Sequence, residues 1–113
     1  AEETVARRYR DRGARILARR WRGPGGELDM VLAEDGVFVF VEVKHSKTHA
    51  QAIEHLPAAQ IGRILSTALA YLATQPEGMN AAMRFDLATV DGHGRVALHP
   101  GAFTADDAPD GWG

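Results

Sequence analysis

An α/β domain, a sheet with helices packed against it, is the fold this sequence predicts. Three observations carry the prediction. Segments of helical spacing alternate with β-branched runs in the order α-β-β-β-α-β-β. Residues 37–43 are apolar on both faces until Glu42, the pattern of a central strand covered on both sides. Asp35-Gly36 lies between two apolar runs and marks a two-residue hairpin, because a type I′ turn needs positive φ at both central positions.

Taken in order, residues 2–12 read as a helix with Val5, Ala6 and Tyr9 on one face and arginines on the other. Gly13 suits its C-terminal cap. Ile16, Leu17 and Trp21 mark a short strand, and Arg22-Gly23-Pro24-Gly25-Gly26 breaks it. Residues 28–33 and 37–43 form the hairpin, and residues 46–50 read as a loop. Residues 58–74 regain a helical period, with Ile61, Ile64, Leu65, Ala68, Leu69, Tyr71 and Leu72 on a broad apolar face. Gln75-Pro76-Glu77-Gly78 ends this helix. Residues 83–90 read as a strand, Asp91-Gly92-His93-Gly94 as a turn, and residues 95–98 as the last strand. Residues 1–104 make one domain; residues 105–113, with Asp106, Asp107 and Pro109, read as a frayed acidic tail.

Composition narrows the function classes. The 113 residues suit one domain, and 45% apolar with 25% charged residues excludes disordered and repeat-type composition. Cysteine is absent, which excludes a disulfide scaffold, a Cys-ligated metal and a cysteine nucleophile. That absence fits a reducing compartment, so a cytoplasmic protein is expected. The longest strongly apolar run, 37–41, is far short of the ~20 residues a membrane helix needs. No secretory signal is visible, and a start at alanine reads as a trimmed end. The net charge of −2 hides an asymmetry: eight of the basic residues are arginines within the first 22 positions, accompanied there by Glu2, Glu3 and Asp11. Such an end can bind a polyanion locally; it is equally what a solvated helix face looks like.

The hairpin register concentrates chemistry. With Glu34 facing Val37, Asp29 falls opposite Glu42 and Glu27 opposite Lys44, all four on one face. Charged groups at the end of a central strand must be paired, metal-bound or neutralised. Three readings stay open here: a hard divalent cation on Asp29 and Glu42, a structural network pairing Lys44 with Glu27 or Glu42, and plain solvent exposure.

At these residues the sequence resembles the YraN family of small bacterial proteins predicted to be endonucleases, of the restriction-endonuclease-like PD-(D/E)XK superfamily. The resemblance rests on Gly26-Glu27-Leu28-Asp29 and Val39-Phe40-Val41-Glu42-Val43-Lys44. It extends to Glu3-Thr4-Val5-Ala6, Trp21-Arg22, residues 68–72, Arg84-Phe85-Asp86 and Ala102-Phe103. It implies a restriction-endonuclease-like core with a mixed β-sheet and flanking helices. It implies Asp29, Glu42 and the Val43 carbonyl as ligands of Mg2+ or Mn2+, and Lys44 as the catalytic lysine. Glu3 would project from the first helix toward the site, with Glu27 and Gln60 in support. Two positions depart from the family pattern: Ser46 stands where an arginine is usual, and Gln60 where a lysine is usual. Gln60 can still hydrogen-bond a phosphate or a water, but supplies no charge.

Other signals are weaker. His45 and His49 have a zinc-like spacing but fall on a strand end and a loop. His55, His93 and His99 read as surface or turn residues, Trp21 as core, and Asp86 as a tether for a loop or an arginine. Ser46 and Ser66 lack the glycine-flanked setting of a hydrolase nucleophile. The function expected is metal-dependent hydrolysis of nucleic-acid phosphodiesters, DNA favoured over RNA, with branched and nicked forms among the candidates. Arg19, Arg20, Arg22 and Arg63 are the expected phosphate contacts. The alternative is a non-catalytic nucleic-acid-binding or protein-interaction module on the same fold. Neither reading involves a membrane, and both leave the oligomeric state open.

Overall fold

The described residues of this computed structural model, 1–54 and 56–110, build one five-stranded sheet with helices on both faces. The elements are α1 (Glu2–Asp11), β1 (Arg15–Gly23), β2 (Gly26–Glu34), β3 (Val37–His45), α2 (His49–Glu54), α3 (Ala58–Leu72), β4 (Met83–Val90) and β5 (Val96–Phe103). Strand order follows chain order. The pairs β1/β2, β2/β3 and β4/β5 are antiparallel, and β3/β4 is parallel. This is the expected α/β fold, a mixed sheet compatible with a restriction-endonuclease-like core. The parallel pair exists because α3 carries the chain across one face between β3 and β4, as a parallel connection requires.

Each face has its own core. Ile61, Ile64, Leu65, Ala68, Tyr71 and Leu72 of α3 pack on Leu28, Val31, Phe40, Phe85 and Phe103. Val5, Ala6 and Tyr9 of α1 pack on Met30, Leu32, Val39, Val41 and Ala88. Trp21, half-buried, sits against the first core with its ring 5.2 Å from Tyr71, edge to face.

Asp86 tethers an arginine, as expected, together with a helix and the edge strand rather than a loop. It is fully buried and accepts from Tyr9 Oη at 2.7 Å, Arg84 Nε at 2.8 Å and the Gly101 amide at 3.0 Å. Buried Glu34 takes Arg84 and Arg12 at 2.7 and 2.9 Å. These pairs fix the C-terminal end of α1 to β2, β4 and β5.

Strand and helix ends shift by a residue or two from the sequence expectation, and three larger differences have local causes. A helix begins at His49 where the sequence pattern indicates a loop, because Thr48 accepts from the Gln51 amide at 3.1 Å and caps the turn. Strand β5 runs past the expected end at 98 through Pro100 and Gly101; an edge strand tolerates both, and Gly101 adopts φ 61°. Residues 105–107 form a 3-10 turn rather than a frayed start to the tail, with Thr104 and Asp107 closing a reciprocal cap. The glycines ending the tail, and His55, lie outside the described residues. No helix among the described residues is long and apolar enough to cross a membrane.

Candidate active site

The Asp35-Gly36 turn forms as expected, with φ of 53° and 77°, and the register runs from Glu34↔Val37 to Met30↔Val41. The ladder then stops, one residue short of the Asp29–Glu42 pair. Beyond this point the Val43 amide donates to Asp29 Oδ2 at 2.8 Å, so a carboxylate takes the place of a backbone acceptor. Strand β2 also slips in phase here. Leu28 packs on the α3 side and Met30 on the α1 side, although residues two apart normally share a face. On β1, Arg20 has φ 52°, and the paired positions run Arg19↔Met30 and Trp21↔Leu28 around it. The two irregular residues, Arg20 and Asp29, are therefore cross-strand neighbours.

The slip turns Asp29 toward Glu42, so that each carboxyl acts on the other's ionisation. Burial, then the charge of Asp29, pushes the Glu42 carboxyl up to about 8. Burial also raises Asp29, opposed by the Val43 amide and reinforced by the charge of Glu2. Each carboxyl thus holds a proton more readily than a solvated one, Glu42 most of all. Lys44 does not pair with Glu27. Its Nζ donates to Gln60 Oε1 at 2.8 Å, and Gln60 Nε2 donates to Glu42 Oε1 at 3.2 Å. Because an ammonium can only donate, this contact fixes which end of the Gln60 amide faces Glu42. The open choice among three readings of the acids thus narrows: they are neither simply solvated nor directly salt-bridged to Lys44.

Gln60 is delivered by the first turn of α3, and the β1–β2 turn is clamped onto the same helix. The Gly25 amide donates to Thr67 Oγ1 at 2.9 Å, and a Cβ on Gly25 would fall 2.0 Å from the Arg63 carbonyl oxygen. Only glycine fits there. A small cleft of about 120 Å³, lined by Gly25, Glu27, Glu42, Gln60, Arg63 and Ile64, opens beside the carboxylates. A second cleft of about 450 Å³ is lined by Ala1, Glu2, Glu3, Arg19, Arg20 and His45.

Some expected residues are thus brought together and others are not. Asp29, Glu42, Lys44, Gln60 and the Val43 backbone form one network. Glu27 and Arg63 line its cleft. Glu3 does not reach the network: its carboxylate is exposed and holds Arg19 at 2.7 Å and Arg10 at 3.2 Å, which keep it below the usual carboxylate range. The acid of α1 that acts on Asp29 is Glu2. The helix period carried that signal, since Glu2 shares the face of Val5, Ala6 and Tyr9. Arg19, Arg20 and Arg22 are each already beside an acid: Glu3, Glu2 at 3.6 Å and Glu27 at 3.5 Å. His45 is exposed at the end of β3 and His49 turns to Thr89, so the two do not converge. His99, half-exposed on the edge strand β5, also bonds Thr89.

The donor set suits a hard dication. Two carboxylates are what magnesium or manganese takes from a protein while keeping water and phosphate ligands. Among the described residues no group of three or more His, Asp or Glu side chains converges as a closed metal cage.

A profile of the Uncharacterised protein family UPF0102 matches residues 1–90. A UPF0102 protein of Dinoroseobacter shibae is 52% identical over 98 residues, covering 87% of this chain and 73% of that protein. One from Cereibacter sphaeroides is 47% identical over 105 residues, covering 93% and 90%. One from Ruegeria pomeroyi is 45% identical over 103 residues, covering 91% and 84%.

Proposed function

The chain belongs to the UPF0102, or YraN, family, and from that premise we propose that it is a metal-dependent nuclease hydrolysing DNA phosphodiesters, branched or nicked forms included. The observation that carries the reading is the Asp29–Glu42 pair, two carboxyls brought together at a splayed strand end, with Lys44 aimed beside them by Gln60. Two facing carboxyls that hinder each other's ionisation do nothing for a purely structural pair. A cation site needs them.

Asp29, Glu42 and the Val43 carbonyl would hold Mg2+ or Mn2+. When bound, such a dication lowers the pKa of an attacking water and offsets charge on the scissile phosphate. Lys44, oriented by the Gln60 amide, places the nucleophile and meets phosphate charge. Arg63 on one cleft, Arg19 and Arg20 on the other, and Arg22 beside Glu27 track the backbone without reading bases. Glu27 supports the cleft wall from the exposed end of β2. The lack of cysteine is the ground for assigning this activity to a reducing cytoplasm.

A second reading, a nucleic-acid or protein-binding module without turnover, is favoured by the arginine–acid pairs, which neutralise the surface locally. Incubation with branched, nicked and single-stranded DNAs, with and without manganese, separates the two. Cleavage that requires metal and disappears in Asp29→Asn and Glu42→Gln supports the nuclease. Metal-independent binding without cleavage of any of these supports the module.

A further inference from the structure

Away from the carboxylates, a chain of polar groups crosses β4. Thr89 is fully buried. Its Oγ1 lies 2.6 Å from Nδ1 of His49, the first residue of α2, and 2.8 Å from Nε2 of His99 on β5. Asp91, in the β4–β5 turn, places Oδ2 3.7 Å from Nε2 of His49. Thr89 is also the register partner of Lys44 on the parallel strand β3.

A hydroxyl has one proton to donate and lone pairs to accept with. Placed between two imidazoles, it donates to one ring and accepts from the other. One of the two nitrogens facing it is therefore bare. A single added proton is accommodated, because the charged ring keeps its N–H toward the oxygen, and Asp91 lies beside one of the two rings. A second proton is not accommodated. Both facing nitrogens would then carry hydrogen, the buried hydroxyl proton would lose its acceptor, and two cations would flank one oxygen. Burial and the charge of His49 accordingly lower the pKa of His99. The other charges around the cluster are Asp91, which the Arg95 and His93 amides keep below the ordinary range, His93 in the same turn, and Lys44 across the ladder.

Besides an exposed bond from Ser46 Oγ to Gln51 Oε1 at 3.2 Å, little else fastens α2 to the sheet. Of its six residues only Ala52 is buried, and Ile53 is 46% exposed. The flanking backbone bonds, Ser46 amide to Val90 carbonyl and Gly92 amide to Lys47 carbonyl, precede the helix.

We infer that His49, Thr89 and His99 form an acid-sensitive latch, holding α2 on the sheet while at most one ring is charged and releasing it when both are. Its bearing on the candidate site rests on the nuclease reading, since α2 leads directly into the first turn of α3 and Gln60.

Hydrogen–deuterium exchange of the intact protein, without metal or nucleic acid and corrected for intrinsic rates, tests the latch from pH 7.5 to 5. Protection of α2 amides should fall about tenfold per pH unit below ~6.5, one proton being taken up on release, while β3 and β4 keep theirs. Thr89→Val should leave α2 unprotected throughout. His99→Gln, which can bond the hydroxyl but not become charged, should keep α2 protected down to pH 5. Unchanged wild-type protection at pH 5, or the same loss in His99→Gln, overturns the proposal. Neither result touches the nuclease reading, which is tested by cleavage.

Discussion

Arg20 and Asp29 sit across from each other on β1 and β2 at the point where both strands depart from regular geometry. Arg20 takes a left-handed backbone, and Asp29 is where the β2 side chains change phase. The paired irregularity keeps the strand register while turning one carboxylate toward Glu42. A left-handed residue with a Cβ costs about 1–2 kcal/mol. Arg20→Gly removes that cost and should preserve or raise stability by up to ~1 kcal/mol, net of glycine's chain entropy. Arg20→Val, β-branched, should lower it by about 1–2 kcal/mol. Equal melting temperatures for the two variants would show that the slip does not depend on residue 20.

The raised Glu42 carboxyl makes a prediction with a definite sign. Glu42 is an acid whose folded-state pKa lies above its ordinary value, so its ionisation opposes folding. The penalty is absent below pH ~4.5 and grows as pH rises through about 8. Glu42→Gln should therefore match the parent near pH 4.5 and exceed it above pH 8, by on the order of a few kcal/mol. Melting curves in chelator at the two pH values measure this. A Glu42→Gln variant less stable than the parent at pH ~8.5 would mean that the acids are there to serve the fold.

Cation binding must displace the Glu42 proton. Calorimetry with Mn2+ in two buffers of different ionisation enthalpy should show proton release approaching one per site at pH 7, and less by pH 9. Affinity should rise with pH up to about 8 and stay weak enough for chelator dialysis to strip the ion. No proton release at pH 7 would place the cation elsewhere.

Arginines already held by acids must exchange partners before they meet phosphate. Glu3→Gln frees Arg19 and Arg10, and should both tighten DNA binding and steepen its salt dependence, by about 0.7–0.9 for each additional phosphate neutralised. Replacing Arg19, Arg20 and Arg22 together should flatten it. A gel-shift series across salt reads both; an unaltered slope in the triple variant moves the binding surface away from β1.

Gly25 is a steric requirement rather than a conformational one. Gly25→Ala drives a methyl group into the Arg63 carbonyl, and should cost at least about 1–3 kcal/mol while pushing the β1–β2 turn off α3. Thr67→Val, which removes the hydroxyl that accepts from the Gly25 amide, should be the milder change. Denaturant midpoints rank the two, and the reverse order would contradict the clamp.

Local pattern made most of the fold legible. The apolar faces of α1 and α3 and the Asp35-Gly36 turn set the element order and the hairpin register, because each is a short-range constraint. What stayed hidden depends on groups distant in sequence. Nothing near Gln60 says that its amide will bridge Lys44 and Glu42, and nothing near Thr89 announces two histidines from separate elements. The slip at Asp29 defeats strict alternation, so the ladder falls short of the pairing that alternation implies. Two signals were present but outweighed: the Thr48-x-x-Gln51 cap before α2, and the position of Glu2 on the buried face of α1.

The parallel pairing of β3 with β4 has a consequence for synthesis on the ribosome. The meander β1–β2–β3 can close as soon as its own residues emerge, but Phe38 waits for Met83 to cover its other edge. At about 5–20 residues per second this interval lasts several seconds. Throughout it the most apolar strand of the protein, Val37-Phe38-Val39-Phe40-Val41, presents an open row of backbone donors and acceptors. Nascent chains arrested before residue 83 should therefore aggregate or recruit holdases far more readily than chains released after β4, a difference that sedimentation of arrested complexes would register.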